Sequence, residues 1–229
     1  MIDVDPVARA DAAASSLAGA ARLAFGYEPA EGGEQDRIRI PMGGNHRVGG
    51  LNDIQKARLI GAFLELQPER GERLVLLGVE VDGLGAAERA ALRARVALLP
   101  AAGGLISSLN AWENIVLPLG FHDPKRLPGI AEQVHDLLGR LGAHPGNLLA
   151  KLPERMSRFE MKLTGYVRIL LENPELVLIE DLFGGLGAGE RVDAAGFPEA
   201  YQTRCPGGTM VQLESGPVPS TSEGERHAS

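Results

Sequence analysis

Residues 176–181 read Leu-Val-Leu-Ile-Glu-Asp, and this stretch decides the fold class. Four consecutive apolar residues without alternation are typical of a strand that is buried on both faces in the middle of a parallel sheet. Glu180 and Asp181 stand at the carboxyl end of this strand, which is the edge where open α/β sheets bind their ligands. The stretch therefore predicts an α/β fold with a candidate site at these two carboxylates.

The segment before this strand predicts an amphipathic helix. Over residues 156–172 the apolar residues recur at spacings of three and four, and Asn173-Pro174 ends the pattern. Ser157 and Glu160 stand three residues apart at its start, as in a capping box that satisfies the first backbone amides of a helix. A second amphipathic helix is expected over residues 130–141.

The first hundred residues alternate short strands with helices. A short strand is predicted at 36–40, closed by Pro41-Met42-Gly43-Gly44, and further strands at 74–77 and 95–99. Helical spacing predicts a helix at 53–66, and a charged helix is expected at 86–95. Such alternation favours a single α/β domain built on a sheet.

Composition excludes several classes of protein. The chain has 229 residues with a formal net charge of −7, and no stripe of Lys and Arg offers phosphate contacts, so a nucleic-acid partner is not expected. The single Cys205 cannot form an internal disulfide, and the N-terminus is acidic where a signal peptide would be basic. No apolar run approaches 18 residues. A cytoplasmic location without a membrane span is expected.

A longer stretch carries a family resemblance. Residues 103–119 read Gly-Gly-Leu-Ile-Ser-Ser-Leu-Asn-Ala-Trp-Glu-Asn-Ile-Val-Leu-Pro-Leu. This stretch resembles the segment after the Q-loop in the ATP-binding subunits of ABC transporters, especially those of MCE-type lipid transport systems. Residues 153–160 stand at the place of that family's signature sequence, and 176–181 stand at the place of its Walker B strand. The pieces keep the family's order from about Leu23 to Glu214.

The resemblance implies a fold and a division of the chain. The expected fold is a P-loop NTPase-like core, with a parallel or mixed sheet, in residues 23–214, and a helical subdomain is inserted at about 104–172. Residues 1–22 would form an N-terminal extension. Residues 215–229 are rich in Ser, Gly, Pro and Glu, and they are expected to form a disordered tail.

The resemblance also implies ATP and Mg²⁺ as cofactors, but the phosphate-binding loop has decayed. The loop should read Gly-x-x-x-x-Gly-Lys-Ser/Thr, whereas residues 49–56 read Gly-Gly-Leu-Asn-Asp-Ile-Gln-Lys and retain Gly49. Counting back from downstream landmarks puts Gln55 at the lysine position, and counting forward from upstream landmarks puts Ala57 there. Only an intermediate register uses Lys56. Weak or absent nucleotide binding is expected.

The other nucleotide-site motifs are altered as well. Ala101 stands where the family has the Q-loop glutamine, and Arg158 and Phe159 replace the signature glycines beside Ser157, which in the family approaches the partner's γ-phosphate. Glu214 and Ser215 stand where the switch histidine is expected.

Three further residues are implied as site residues. Glu180 and Asp181 reverse the family's Asp-Glu pair, so Glu180 is the candidate Mg²⁺ ligand and Asp181 a shortened catalytic base. Tyr27, or alternatively Phe25, is the candidate aromatic that stacks on adenine, although a core position is an equal alternative.

These losses lead to three hypotheses. The first is a pseudo-ATPase or scaffold subunit of a lipid-transport ABC complex, bound to a membrane-embedded permease and paired with a competent ATPase subunit or with itself. The second is a weak but genuine ATPase that uses Lys56, Glu180 and Asp181. The third is a soluble regulator that no longer contacts a transporter. Under the first two, the chain would lie peripherally on the inner face of the cell membrane.

Residues 105–121 are the expected docking surface for the permease. In relatives the region after the Q-loop receives the permease, and this stretch carries the family resemblance most closely. Trp112 is the only Trp in the chain, and Leu117 and Leu119 add apolar area beside it. The alternative is that Trp112 fills the core.

Overall fold

The computed structural model describes residues 3–4, 22–31, 33 and 36–214. Of the expected N-terminal extension, only residues 3–4 and 22 are therefore described, and the expected disordered tail at 215–229 lies outside the described residues. The strands are β1 (Asp3–Val4), β2 (Leu23–Glu28), β3 (Ile38–Pro41), β4 (Gly44–Gly49), β5 (Arg73–Leu76), β6 (Val79–Glu80), β7 (Val96–Leu99), β8 (Leu176–Glu180) and β9 (Thr209–Leu213).

The helices fall mostly between β7 and β9. They are α1 (Asp53–Glu65), α2 (Ala86–Arg93), α3 (Ala111–His122), α4 (Ile130–Arg140), α5 (Pro145–Leu148), α6 (Arg158–Glu172), α7 (Ala188–Ala194) and α8 (Phe197–Arg204), with 3-10 turns at Pro124–Arg126 and Pro153–Arg155. Within the described residues, no helix is both long enough and apolar enough to cross a bilayer.

The main sheet has five strands in the order β1-β4-β9-β8-β7. The contacts β4–β9, β9–β8 and β8–β7 are parallel, and β1 joins the edge strand β4 in antiparallel register. Residues 176–179 are each 0% exposed, as expected for a central strand. The predicted α/β class is confirmed, and β9 separates β4 from β8.

Alternating side chains of β8 face two different cores. Val177 and Ile179 pack with the helices α3, α4 and α6, whereas Leu176 and Leu178 pack with α1 and the second sheet. The unbroken apolar run at 176–179 is thus required because both faces of the strand are covered.

The second sheet is antiparallel and covers α1. Its strands run in the order β3-β2-β5-β6. The ring of Phe25 on β2 lies 6.4 Å from the ring of Phe63 on α1. This contact holds the second sheet against the helix that follows β4.

The helix α6 crosses the chain segment after β7 at very short range. A Cβ added to Gly165 would lie 2.2 Å from the carbonyl oxygen of Gly103, and Gly103 has a φ of +82°. Only glycine fits at either position. The crossing fixes the helical half of the molecule against the sheet at the end of β7.

Candidate functional site

The candidate site lies where four parallel strands end. The chain leaves β4 at Gly49, β7 at Leu99, β8 at Glu180 and β9 at Leu213, all at one edge of the main sheet. This is the ligand-binding edge of an open α/β sheet.

Glu180 ties three of these chain segments together. Its Oε2 accepts a hydrogen bond from the backbone N–H of Ala101 at 3.1 Å, and its Oε1 lies 3.9 Å from Nζ of Lys56. The exposed fractions of the side chains are 22% for Glu180 and 13% for Lys56. The carboxylate proposed as a Mg²⁺ ligand therefore holds the end of β7 and the first turns of α1.

The three candidates for the P-loop lysine position, Gln55, Lys56 and Ala57, have different surroundings in the structure. Lys56 reaches Glu180, whereas the Gln55 side chain accepts a hydrogen bond from the Asn52 N–H and so belongs to the helix cap. Ala57 lies on the exposed side of α1. The intermediate register is the one that geometry favours. The connection between β4 and α1 has only the three residues 50–52.

This short connection does not fit the phosphates of a nucleotide. A P-loop binds phosphate with free backbone amides at a helix start. Here the Gln55 N–H donates to Oδ1 of Asn52 at 2.9 Å, and the Asn52 N–H donates to Oε1 of Gln55 at 3.0 Å. Gly49 ends the strand and Gly50 turns with a φ of 79°. The chain's own side chains thus occupy two amides at this helix start, those of Asn52 and Gln55.

Both backbone polar groups of Asp181 are hydrogen-bonded within the chain. It has a φ of 46°, its N–H donates to the carbonyl of Leu213 at 2.8 Å, and its carbonyl accepts a hydrogen bond from Nζ of Lys162 at 2.6 Å. Lys162 is 2% exposed, and burial lowers the pKa of its ammonium group while Asp181 and Glu180 act to raise it. The sequence did not indicate Lys162, because a lysine on an amphipathic helix is ordinarily placed on the exposed face.

Glu214, at the place of the switch histidine, forms an ion pair with Arg47. Nη2 of Arg47 lies 3.0 Å from Oε1 of Glu214, and the Arg47 guanidinium lies 5.7 Å from the centre of the Phe183 ring. Arg47 on β4 thereby joins the end of β9 to the loop after β8.

The start of α6 forms the predicted capping box, which is confirmed. The Glu160 N–H donates to Oγ of Ser157 at 3.1 Å, and the Ser157 N–H donates to Oε2 of Glu160 at 2.9 Å. Nζ of Lys151 lies 2.6 Å from Oε1 of Glu160, and the Ser157 hydroxyl lies 3.3 Å from Oε1 of Glu190. Ser157 is engaged by its own helix and by α7.

Arg158, the first residue of α6, packs against the loop after β8. A Cβ added to Gly185 would lie 2.7 Å from Nη1 of Arg158, so the guanidinium packs directly on the loop after β8. The residue that replaces a signature glycine thus covers this loop.

Tyr27 lies away from this edge and in the core. It is 2% exposed, and its hydroxyl donates to Oε1 of Glu72 at 2.7 Å. Burial and the nearby Glu72 carboxylate both raise the pKa of the Tyr27 phenol. The alternative Phe25 is 0% exposed. Neither ring offers a face to adenine, because both pack between the second sheet and α1.

The expected docking residues divide between core and surface. Trp112 and Leu117 are partly buried, with Trp112 packed against the helical core, whereas Leu119 is 3% exposed and lies within that core. The exposed apolar side chains of this stretch are Ile106 at 45% and Phe121 at 78%, which the sequence pattern did not single out.

No group of three or more His, Cys, Asp or Glu side chains within the described ranges is arranged to hold a metal ion.

The chain is similar to several known proteins. No protein-family model matches it. It is 29% identical over 154 residues to the probable ribonucleotide transport ATP-binding protein mkl of Mycobacterium tuberculosis, which covers 67% of this chain and 42% of that protein. It is 24% identical over 153 residues to the methionine import ATP-binding protein MetN of Desulfitobacterium hafniense, which covers 67% of this chain and 44% of that protein. The chain thus matches less than half of the length of these relatives.

Solved structures show the same fold. The dimeric post-hydrolysis state of the ATP-binding cassette MJ0796, bound to ADP and Pi, matches with a TM-score of 0.65 and 15% identity over 83% of this chain and 87% of that chain. CbiO1 from Clostridium perfringens, part of the ABC transporter complex CbiONQ, matches with a TM-score of 0.62 and 14% identity over 85% and 79%. The predicted P-loop NTPase-like fold is confirmed.

Proposed function

We propose that this chain, a homologue of the ATP-binding subunits of ABC transporters with the fold of their ATPase cassettes, is a subunit that does not hydrolyse ATP. It would act as a scaffold of a lipid-transport complex, bound to a membrane-embedded permease and paired with a competent ATPase subunit or with a second copy. One observation carries this proposal: the chain's own groups occupy the Asn52 and Gln55 amides at the start of α1 and the carboxylate of Glu180.

The magnitudes support a non-catalytic site. Phosphoryl transfer depends mainly on positioning and on charge stabilisation by a lysine, a metal and a water-orienting group. One ammonium group at about 4 Å from a phosphate contributes on the order of 4 kcal/mol at an effective dielectric constant of 20, or about a thousandfold in rate. Here the Asn52 and Gln55 amides are capped, Ala101 stands at the place of the family's glutamine and Glu214 and Ser215 at that of its histidine, and Arg158 covers the loop after β8. The combined loss is enough to abolish turnover.

Docking to a permease rests on α3 and the loop before it. This helix has only three polar side chains in twelve residues, and its outer face leaves Phe121 78% exposed. Asn114, itself 0% exposed, fixes the preceding loop, because its side-chain amide bonds the N–H and the carbonyl of Ile106. A rigid apolar surface of this kind suits an apolar segment of a membrane protein. A chain held in this way would lie peripherally on the inner face of the membrane.

The lipid assignment rests on the resemblance of residues 103–119 to MCE-type systems. The curated relatives are named for methionine and ribonucleotide transport. Cargo in the complex would be determined by the permease that binds this surface.

A weak ATPase is the second candidate. It is favoured by the position of Lys56, whose Nζ lies 3.9 Å from Glu180 and hence close to where a phosphate-binding lysine is needed. Calorimetry separates the two candidates. We expect no saturable heat when Mg-ATP is titrated into the purified chain, and a micromolar dissociation constant that is lost in Lys56→Ala would favour the ATPase instead.

Co-purification tests the docking proposal. We expect Phe121→Ser to leave the thermal midpoint unchanged, because the side chain is 78% exposed, and to abolish recovery of the chain with its permease. Val192→Ser on α7 is the matched control, since Val192 is 73% exposed and lies outside residues 105–121. Equal recovery of both variants with the permease would contradict docking through Phe121, and failure to recover even the native chain with a permease would favour the soluble regulator.

A further inference from the structure

The turn between β6 and α2 carries a chemically reactive pair of residues. Asp82-Gly83 is the only Asp-Gly pair in the chain, and the sequence contains no Asn-Gly pair. Both residues are exposed. Exposed turns are the parts of a folded chain that are most open to attack. This pair is therefore the place to look for a change in the backbone itself.

The backbone of the turn leaves the amide of Gly83 accessible. The Val81 N–H donates to the carbonyl of Leu74 at 2.9 Å, and the Leu84 N–H reaches the carbonyl of Val81 at 3.4 Å, so these bonds lie on either side of the pair. Gly83 has a φ of +79°, the conformation that the third residue of a type II turn requires. In the part of the chain that the structure describes, the Gly83 N–H makes no hydrogen bond.

The side chain of Asp82 is equally accessible. Within the described ranges, its carboxylate forms no hydrogen bond and no ion pair. By contrast, the carboxylate of Asp136 lies 2.8 Å from Nε of Arg140. Gly83 has no side chain, and nothing lies within 4 Å of a Cβ placed on it. The carboxyl carbon of Asp82 can thus approach the nitrogen of Gly83 without steric hindrance.

We propose that Asp82 is a site of spontaneous isoaspartate formation in the folded protein. The nitrogen of Gly83 attacks Cγ of Asp82, the new N–Cγ bond closes a five-membered succinimide ring, and the amide proton leaves with the carboxyl hydroxyl group as water. A water molecule then adds to the α-carbonyl carbon of Asp82 and breaks its bond to the nitrogen of Gly83. The chain now runs through Cγ, an α-carboxylate is released, and the composition of the protein is unchanged.

The modified turn would have a longer backbone. The main chain gains one methylene group, or about 1.5 Å of bond length, between Val81 and Gly85. Val81 is 0% exposed in the core, and Gly85 is the N-cap of α2. Arg93 at the end of α2 donates to the carbonyl of Phe63 at 3.1 Å. Because both sides of the turn are fixed, the added length must displace α2 or the end of β6. The inference is independent of whether the chain binds nucleotide or a permease.

Peptide analysis of the intact chain tests the site. Trypsin cuts after Arg73 and Arg89, so the turn is recovered in residues 74–89. The folded chain is incubated at neutral pH and then digested. We expect a second form of this peptide with unchanged mass and a different retention time, which accepts a methyl group from S-adenosylmethionine in the presence of an isoaspartyl carboxyl methyltransferase. Asp82→Glu is the matched control, because it keeps the charge but would have to close a six-membered ring, and we expect no second form from it.

Three results would overturn the proposal. One is the absence of the second form from the native chain after prolonged incubation. Another is its appearance only in urea, which would show that the folded turn protects Asp82. The third concerns Asp82→Asn, which reaches the same succinimide by losing ammonia instead of water. We expect this variant to give isoaspartate in residues 74–89 faster than the native chain, and an unmodified turn in the folded variant would show that the ring cannot close there.

Discussion

At the scale of single residues, Lys162 stands out because its ammonium group lies in the interior behind the candidate site. It is 2% exposed, and its Nζ donates to the carbonyl of Asp181, whose φ of 46° is uncommon for a residue with a side chain. Burying a charge is costly unless it is paired. We interpret Lys162 as a positioning residue that fixes the turn after β8; burial lowers the pKa of its ammonium group, and Asp181 and Glu180 act against this shift.

The pH dependence of stability follows from this burial. The folded pKa of Lys162 is lowered, so between that pKa and the ordinary value near 10.5 the unfolded chain binds more protons than the folded chain. The contribution of Lys162 to stability should therefore increase as the pH rises through this window. We expect the free energy of unfolding of the native chain, minus that of Lys162→Met, to increase between pH 7.5 and pH 10 in urea titrations. A difference that stays constant or falls would contradict the interpretation.

The capping box of α6 gives a second prediction at this scale. Ser157→Ala should lower the free energy of unfolding by about 0.5–2 kcal/mol, because it leaves a backbone amide at the helix start without its acceptor. Glu160→Ala should have an effect in the same range for the reciprocal bond. Glu160→Gln is the matched control, since it can keep the bond to the Ser157 N–H while losing the ion pair with Lys151.

The measurement is chemical denaturation followed by circular dichroism. An unchanged midpoint in Ser157→Ala, together with loss of a nucleotide-dependent dimer, would show that the residue serves a signature function instead of a cap.

At the scale of elements, α6 connects the helical core to the main sheet, because it packs with the other helices and crosses the segment after β7. Its start is capped by Ser157, and at its end the carbonyls of Leu170 and Leu171 accept hydrogen bonds from Arg204 and Arg126 at 2.7 and 2.9 Å. Cations at a helix C-terminus also interact favourably with the helix dipole. Both ends are thus fixed by side chains, so α6 can hold Lys162 and the crossing at Gly165 in place.

The crossing itself is testable. Gly165→Ala should destabilise the chain by about 1–3 kcal/mol, although alanine favours helices, because the new Cβ would lie 2.2 Å from the Gly103 carbonyl oxygen and 2.9 Å from Leu99. In Gly139→Ala, where nothing lies within 4 Å of the added Cβ, we expect stabilisation by about 0.5–1 kcal/mol. Thermal melts of both variants decide the matter. Similar effects of the same sign would show that helix propensity, and not the crossing, governs Gly165.

Elements with clear periodicity could be predicted from the sequence, and elements formed through tertiary contacts could not. The helix α6 and the strand β8 follow from spacing and from an unbroken apolar run. The strand β4 was missed because Gly-Asn-His-Arg-Val-Gly has little apolar character, and its pairing with β9, as in Gly44 with Thr209, joins residues far apart in the sequence and leaves no local trace. The helix α3 was not assigned, since it is apolar nearly all round and contains Pro118.

At the scale of the whole molecule, the sheet brings together residues that the sequence indicated separately. Glu180, Asp181 and Lys56 meet at one edge, as the resemblance implied, and the capping role of Ser157 is confirmed. The burial of Tyr27 and Leu119 and the roles of Lys162 and Arg47 needed the tertiary structure, because each depends on a partner more than 15 residues away. The fold of the ATPase cassettes is thus retained, and at its sheet edge Lys56 lies against Glu180.

ATP turnover by the assembled transport complex tests the central claim most directly. If this chain is a non-hydrolysing subunit, Lys56→Ala and Glu180→Gln in this chain should leave the steady-state rate of the complex within about twofold of the native rate, since the work is done by a competent partner subunit. Recovery of intact complex is measured in parallel, so that loss of assembly is not mistaken for loss of catalysis. A fall of about tenfold or more in either variant, with assembly intact, would show that Lys56 and Glu180 hydrolyse ATP and would contradict the account.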